Sequence, residues 1–178
     1  KSAVAAGAAE IREESLRLAD DLRRLSYDLR PSVLDSLGLV SAVDWLAQRL
    51  QQETGIHMSL LTRGSPTRLS PLMETNAFRI VQEALNNIKQ HSHATQVTVS
   101  LSFASTQLGI KVADNGVGFS SSRVMRLAAD RGHLGLLGMR ERTESMGGTL
   151  TISSRAEGGT SIVVGIPMET NDVSIAVS

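Results

Sequence analysis

Cysteine is absent from these 178 residues, which removes disulfides, thiolate metal sites and cysteine nucleophiles together. Aromatic side chains make up only 3 % of the chain, so its core has to be aliphatic, built from Leu, Ile, Val and Ala. Neither sign of charge is in excess, since 18 Lys and Arg balance 18 Asp and Glu. A nucleic-acid binder shows a basic surplus, so no nucleic-acid partner is expected. No apolar run approaches the roughly 18 residues of a membrane span, and no signal-peptide pattern opens the chain. A soluble, cytoplasmic chain is the expectation, and any membrane anchor of a parent protein is expected outside it. What is present, 41 % hydrophobic and 20 % charged residues, is a globular balance, and the length suits one domain with an appendage.

The first patterned stretch sets Ile11, Leu18, Leu22, Leu25 and Leu29 in steps of four and three, with Ser15 in the remaining slot. That is a helical seam of heptad spacing, ended by Pro31 because the residue before proline is pushed out of the α region. It reads either as an amphipathic helix packed on its own domain or as one that pairs with another subunit. A second helix is expected over about Ser36–Glu53, with Leu39, Val43, Leu46 and Leu50 on one stripe and Gly55 at its C-cap. Met58–Thr62 reads as a strand and Gly64–Ser65–Pro66 as a turn. A third helix should span Ser70–His91, with Ser70 as N-cap and Pro71 in the first helical position. Val97–Phe103 alternates as a half-buried strand, and Leu108–Ala113 is its expected hairpin partner. A helix over Leu136–Met146 closes on Gly147–Gly148, and strands Thr149–Ser153 and Ser161–Ile166 flank a Gly158–Gly159 turn. The polar tail from Glu169 reads as loose. Interleaved strands and helices with hairpin-type links predict an α+β fold, a helix layer on one face of a mixed sheet.

Three places carry chemistry. Along the third helix Glu83, Asn87 and His91 recur at i, i+4 and i+8, so they share a face. A carboxylate and an amide oxygen one turn apart suit a hard cation such as Mg²⁺, although such a face can equally be solvated surface. After a strand comes Asp114–Asn115–Gly116–Val117–Gly118, where an Asp at a strand end can accept from an exocyclic amine; the same residues can make an ordinary turn. Third, the glycines of Gly132–Arg140 precede and open a helix, where free N–H groups favour phosphate. This is neither a Walker A loop nor a dinucleotide fingerprint.

In order, Glu83–Asn87, Asp114–Gly118, Gly135–Arg140 and Gly159–Thr160 resemble the nucleotide-binding boxes of the GHKL ATP-binding fold, shared by histidine kinases, gyrase, Hsp90 and MutL. The words LSYDLRPSVLDSLGLVSAVDWLA (Leu25–Ala47), RIVQEALNNIKQH (Arg79–His91) and GHLGLLGMRERTESMGG (Gly132–Gly148) are similar to NarL/DesK-type sensor kinases. The resemblance runs from about Leu18 to Pro167. It implies a two-layer α/β sandwich of the GHKL (Bergerat) type over residues 34–168, preceded by the second helix of a dimerisation hairpin in residues 1–33 and followed by a flexible tail, 169–178. It also implies ATP and Mg²⁺ as ligands, a homodimeric parent and a response regulator as partner. Asn87 should hold Mg²⁺ against the phosphates, assisted by Glu83 through water or as a base. Asp114 should take the adenine amine, with Gly116 and Gly118 shaping the pocket and Thr160 supporting the base. Gly135, Leu136 and Gly138 should border the nucleotide at the end of a lid, Ser120–Arg131, and His91 should touch it.

Two departures stand out. The family has Lys or Arg where Gln90 stands, so one phosphate-neutralising charge is missing, and Lys89 points about a hundred degrees away around an ideal helix. The last glycine turn reads Ala156-Glu-Gly-Gly-Thr160 rather than the family's proline-led Gly-x-Gly-Thr. The phosphate acceptor of such kinases is a His followed by an acidic residue. None of His57, His91, His93 and His133 qualifies, so the acceptor helix is expected upstream of Lys1. Two other readings remain, another ATPase or serine kinase of the same fold, and a dimerising scaffold that has lost ATP.

Overall fold

The computed structural model describes residues 32–119 and 134–168. The seam over Ile11–Leu29, the lid over Ser120–Arg131, Gly132, His133 and the tail from Glu169 lie outside them. The described elements are α1 (Ser32–Thr54), β1 (His57–Gly64), α2 (Pro71–His91), β2 (Gln96–Phe103), β3 (Gln107–Asp114), α3 (Leu134–Ser145), β4 (Thr149–Ser154) and β5 (Thr160–Pro167).

The strands form one sheet in the order β1-β2-β3-β5-β4. β1 and β2 run parallel, as strands joined through a helix can, and every other neighbouring pair is antiparallel. The register aligns the apolar residues of successive strands on one face: Leu60 beside Val99, Val99 beside Val112, Val112 beside Ile162, and Ile162 beside Ile152. Side chains alternate along a strand, so that face is apolar and the opposite one carries Ser100, Lys111, Val163 and Thr151. The helices supply the other half of the core, with Leu34, Val43 and Leu50 from α1, Phe78, Ile80, Val81 and Leu85 from α2, and Met139 from α3. This is the expected mixed sheet with helices on one face. Among the described residues no helix is long and apolar enough to cross a membrane.

The helix expected from Ser36 begins earlier, at Ser32, and is broken at Gly38, whose φ of 80° and ψ of −177° are not helical. Glycine reaches that positive φ without Cβ strain. The broken turn packs on the entry to α2, where Glu74 is 1 % exposed. Arg68 Nη2 lies 3.2 Å from Glu74 Oε2 and donates to the Asp35 carbonyl at 3.1 Å. The Leu69 amide donates to Glu74 Oε1 at 3.3 Å. One arginine thus ties the first turns of α1 to a buried acid on α2. The strand expected over Met58–Thr62 runs on to Gly64, because pairing with β2 continues to Phe103. Ser70 caps α2 as its sequence suggests, accepting from the Met73 amide at 3.3 Å.

Replacing Arg68 by Ala leaves the Glu74 carboxylate buried and short of a partner. Urea denaturation should show a loss of about 1–2 kcal/mol, at the low end for a buried ion because the arginine is half exposed.

Candidate functional site

A cleft of about 750 Å³ lies between the C-terminal half of α2, the end of β3, the start of α3 and the β4–β5 hairpin. Burial of the Ala77, Phe78, Val81, Ala84, Leu85 and Ile88 stripe sets the rotation of α2. The row Glu83, Asn87 and His91 therefore comes to the cleft wall. The Asn87 Nδ2 atom is buried and has no hydrogen-bond partner. A Cβ on Gly135 would displace Glu83 Oε1, so the first turn of α3 closes directly against that carboxylate.

Gln90 and His91 are exposed at the rim. Lys89 turns the other way, its Nζ 2.9 Å from Glu53 Oε2, while Arg49 Nε holds Glu53 Oε1 at 2.7 Å. Hydrogen bonds from Arg49 and then Lys89 pull the Glu53 carboxyl below its ordinary value. Lys89 is committed to α1 and does not stand in for the cation that Gln90 lacks.

At the other end of the cleft, Asp114 closes β3 and accepts from the Gly116 amide at 2.8 Å. A second bond comes from the Thr160 amide. Burial nevertheless pushes its carboxyl above the ordinary aspartate value, because the two backbone bonds only partly offset desolvation. The neighbouring Asn115 has a structural task. Its Oδ1 accepts from the Thr95 and Gln96 amides at 2.9 Å each, and its Nδ2 donates to Thr95 Oγ1 at 2.9 Å, which pins the loop to the start of β2. Two glycines allow the surrounding backbones to touch. A Cβ on Gly116 would strike the Ser92 carbonyl, and one on Gly159 (φ 74°) would strike that of Asp114.

Of the residues singled out in sequence, Glu83, Asn87, His91, Asp114, Gly118, Gly135, Leu136 and Thr160 line this one cleft. Gly116 and Gly138 do not border it. Gly116 is buried against Ser92, and Gly138 faces Arg142, whose Nη1 would lie 2.9 Å from an added Cβ. Sequence reasoning missed His93, which lines the cleft with a φ of 50°, and Ser154, which receives the Phe119 amide at 2.8 Å. Alternation puts Ser154 in phase with Leu150 and Ile152 on the inward face, but it lies one residue past the strand expected over Thr149–Ser153.

Chemically, the cleft offers acceptors at one end and an orphaned amide with a carboxylate at the other. Among the described residues no three of His, Cys, Asp and Glu converge, so there is no complete metal cage. Glu83 and Asn87 fit a hard cation that takes its remaining oxygens from phosphate and water. The unpartnered Asn87 Nδ2 is likewise suited to an acceptor oxygen arriving with a ligand.

The family model of histidine kinase-, DNA gyrase B- and HSP90-like ATPases matches residues 73–170. The signal transduction histidine-protein kinase/phosphatase DegS of Brevibacillus brevis is 34 % identical over 152 residues, covering 85 % of this chain and 38 % of that protein. The oxygen sensor histidine kinase NreB of Staphylococcus carnosus is 38 % identical, over 85 % of the chain and 43 % of its own length. The sensor histidine kinase MctS of Rhizobium johnstonii is 36 % identical, over 85 % and 32 %. The chain thus spans less than half the length of these relatives. The histidine kinase domain of a blue-light activated histidine kinase from Erythrobacter litoralis EL346 shares the fold, with a TM-score of 0.58 at 20 % identity over 73 % of this chain and 61 % of that one.

The raised Asp114 carboxyl has a consequence for stability. An acid whose pKa is higher folded than unfolded contributes most when protonated, below about pH 4, and that contribution is lost as pH rises through the folded value. Asp114→Asn should therefore be at least as stable as the wild type at pH 7. Its advantage should shrink toward pH 4 in thermal melts recorded across that range.

Proposed function

Because the chain belongs to the histidine kinase-, DNA gyrase B- and HSP90-like ATPase family, we propose that it is the phosphoryl-donor domain of a two-component sensor histidine kinase. In this reading it binds Mg·ATP and passes the γ-phosphoryl group to a histidine upstream of these 178 residues. The observation that carries it is the placement of the Asp114 carboxylate and the orphaned Asn87 amide at the two ends of one cleft. Asp114 accepts from the adenine amine, Thr160 supports the base, and Gly116 and Gly118 keep the loop close to it. His91 and Leu136 flank the nucleotide. The free amides at the start of α3, opened by Gly135 with Gly138 behind, face the phosphates.

Asn87 and Glu83 would hold Mg²⁺, which supplies charge neutralisation for the transferring phosphoryl group. Glu83 also stands as the candidate base for the accepting imidazole or as an anchor for metal-bound water. Positioning is the protein's larger share, since a loose phosphoryl transition state needs little covalent help. The parent's partners in this reading are a second copy of itself and a response regulator, both cytoplasmic. Of the histidines here, His57 begins β1 while His91 and His93 line the donor cleft. None of the four, His133 included, is followed by an acidic residue, so in this reading the acceptor belongs to a different helix.

Titration calorimetry should detect Mg·ATP binding to the chain, weakened at least about tenfold in Asp114→Ala, the order expected for losing a charged hydrogen bond. Asn87→Ala should weaken nucleotide binding and lose most of the gain in affinity that Mg²⁺ brings to the wild type. Incubation with γ-labelled ATP should leave the chain itself free of acid-labile phosphate. Wild-type protein that ignores Mg·ATP would instead indicate a scaffold, and label on one of its own four histidines would refute the donor-only role.

A further inference from the structure

Ser154, at the last position of β4, belongs to none of the recognised sequence boxes, yet its hydroxyl meets three groups. It accepts from the Phe119 amide at 2.8 Å, lies 3.2 Å from the Gly159 carbonyl oxygen, and lies 3.0 Å from Thr160 Oγ1. A serine hydroxyl has one proton and two lone pairs. The Phe119 amide can only donate and the Gly159 carbonyl can only accept. Making all three contacts therefore requires Ser154 to donate to Gly159 and Thr160 to donate to Ser154. The reverse assignment, Ser154 donating to Thr160, forgoes the Gly159 bond and leaves the Thr160 proton pointing elsewhere. With its own proton engaged in the hairpin, Thr160 has only lone pairs to offer the cleft. It lines that cleft together with Asp114, whose carboxylate already takes the Thr160 amide. This end of the cleft therefore presents two acceptors side by side.

We propose that Ser154 is a positioning residue that fixes the Thr160 hydroxyl as a hydrogen-bond acceptor, so that Thr160 and Asp114 together select a purine bearing an amino group over one without it. The inference rests on the nucleotide-binding reading above and assigns to Ser154 the polarity of its base pocket. Hydrogen bonding favours the amino purine, because a ligand lacking the donor leaves two half-buried acceptors without the partner it would bring.

The test compares dissociation constants for Mg·ATP and for the magnesium complex of purine riboside triphosphate, which lacks the amino group. The wild type should prefer ATP. Ser154→Ala should reduce that preference by about three- to tenfold, the size of one net hydrogen bond. Thr160→Val should reduce it similarly, and the double variant should lose no more than either alone. Ser154→Thr, which retains a hydroxyl, should keep the preference. If Ser154→Ala weakens both nucleotides equally and leaves the ratio unchanged, Ser154 merely braces the Phe119 loop and the proposal fails. If Ser154→Ala does not fold, Thr160→Val and Ser154→Thr decide the matter: an unchanged preference in the first, or a lost one in the second, overturns it. A wild type that binds both nucleotides equally overturns the acceptor pair while leaving nucleotide binding intact. A wild type that binds neither overturns the nucleotide reading and this assignment with it.

Discussion

The rotational setting of α2 on the sheet is the constraint from which the rest of the site follows. One stripe of that helix, centred on Phe78, Val81 and Leu85, is buried against the apolar sheet face. At about 100° per residue, a helix held by one stripe has no freedom in where its other residues point. Glu83, Asn87 and His91 meet the cleft for that reason, and Lys89 meets Glu53 on α1 for the same reason. Rotating the helix by one residue would take Glu83 out of the cleft and bury charge in the core, because Arg79 would enter the buried stripe. Core packing and ligand placement are thus a single choice here.

The opposite wall is set by close backbone approach rather than by side-chain packing. The loop after β3 touches the end of α2 at Gly116 and the β4–β5 turn at Gly159. These contacts partly withdraw Asp114 from water, and that desolvation pushes its carboxyl above the ordinary aspartate value despite two backbone donors. A half-buried acceptor held at some cost to the empty fold is consistent with the amine-recognition role proposed for Asp114.

Much of this was legible in the sequence. Alternation in Val97–Phe103 and the capping of the third helix by Ser70 and Pro71 located their elements because period and cap chemistry are local. The order of three polar and glycine-rich boxes pointed to one site before any geometry was known. Contacts that depend on register or tertiary approach were not legible. Nothing local links the Ser154 hydroxyl to Phe119, Gly159 and Thr160, or marks Asn115 as the pin on Thr95 while Asp114 beside it faces the cleft. Gly38 looked like one residue of a continuous helix, since an isolated glycine is tolerated there, and only packing against the Arg68–Glu74 pair shows why the chain breaks at that point. The departures in sequence were informative in their own way, because Gln90 raised a question of charge that the position of Lys89 answers.

That answer reaches beyond a missing contact. Among the described residues lining the cleft there is no lysine and no arginine, while Lys89 and Arg49 are both engaged by Glu53. A polyphosphate entering this part of the cleft meets backbone amides and oxygen ligands, with no fixed positive side chain from these residues to balance it. In the proposed reading, a nucleotide that brings its own counter-ion would suit these walls better than a bare one, because among the described residues they supply none.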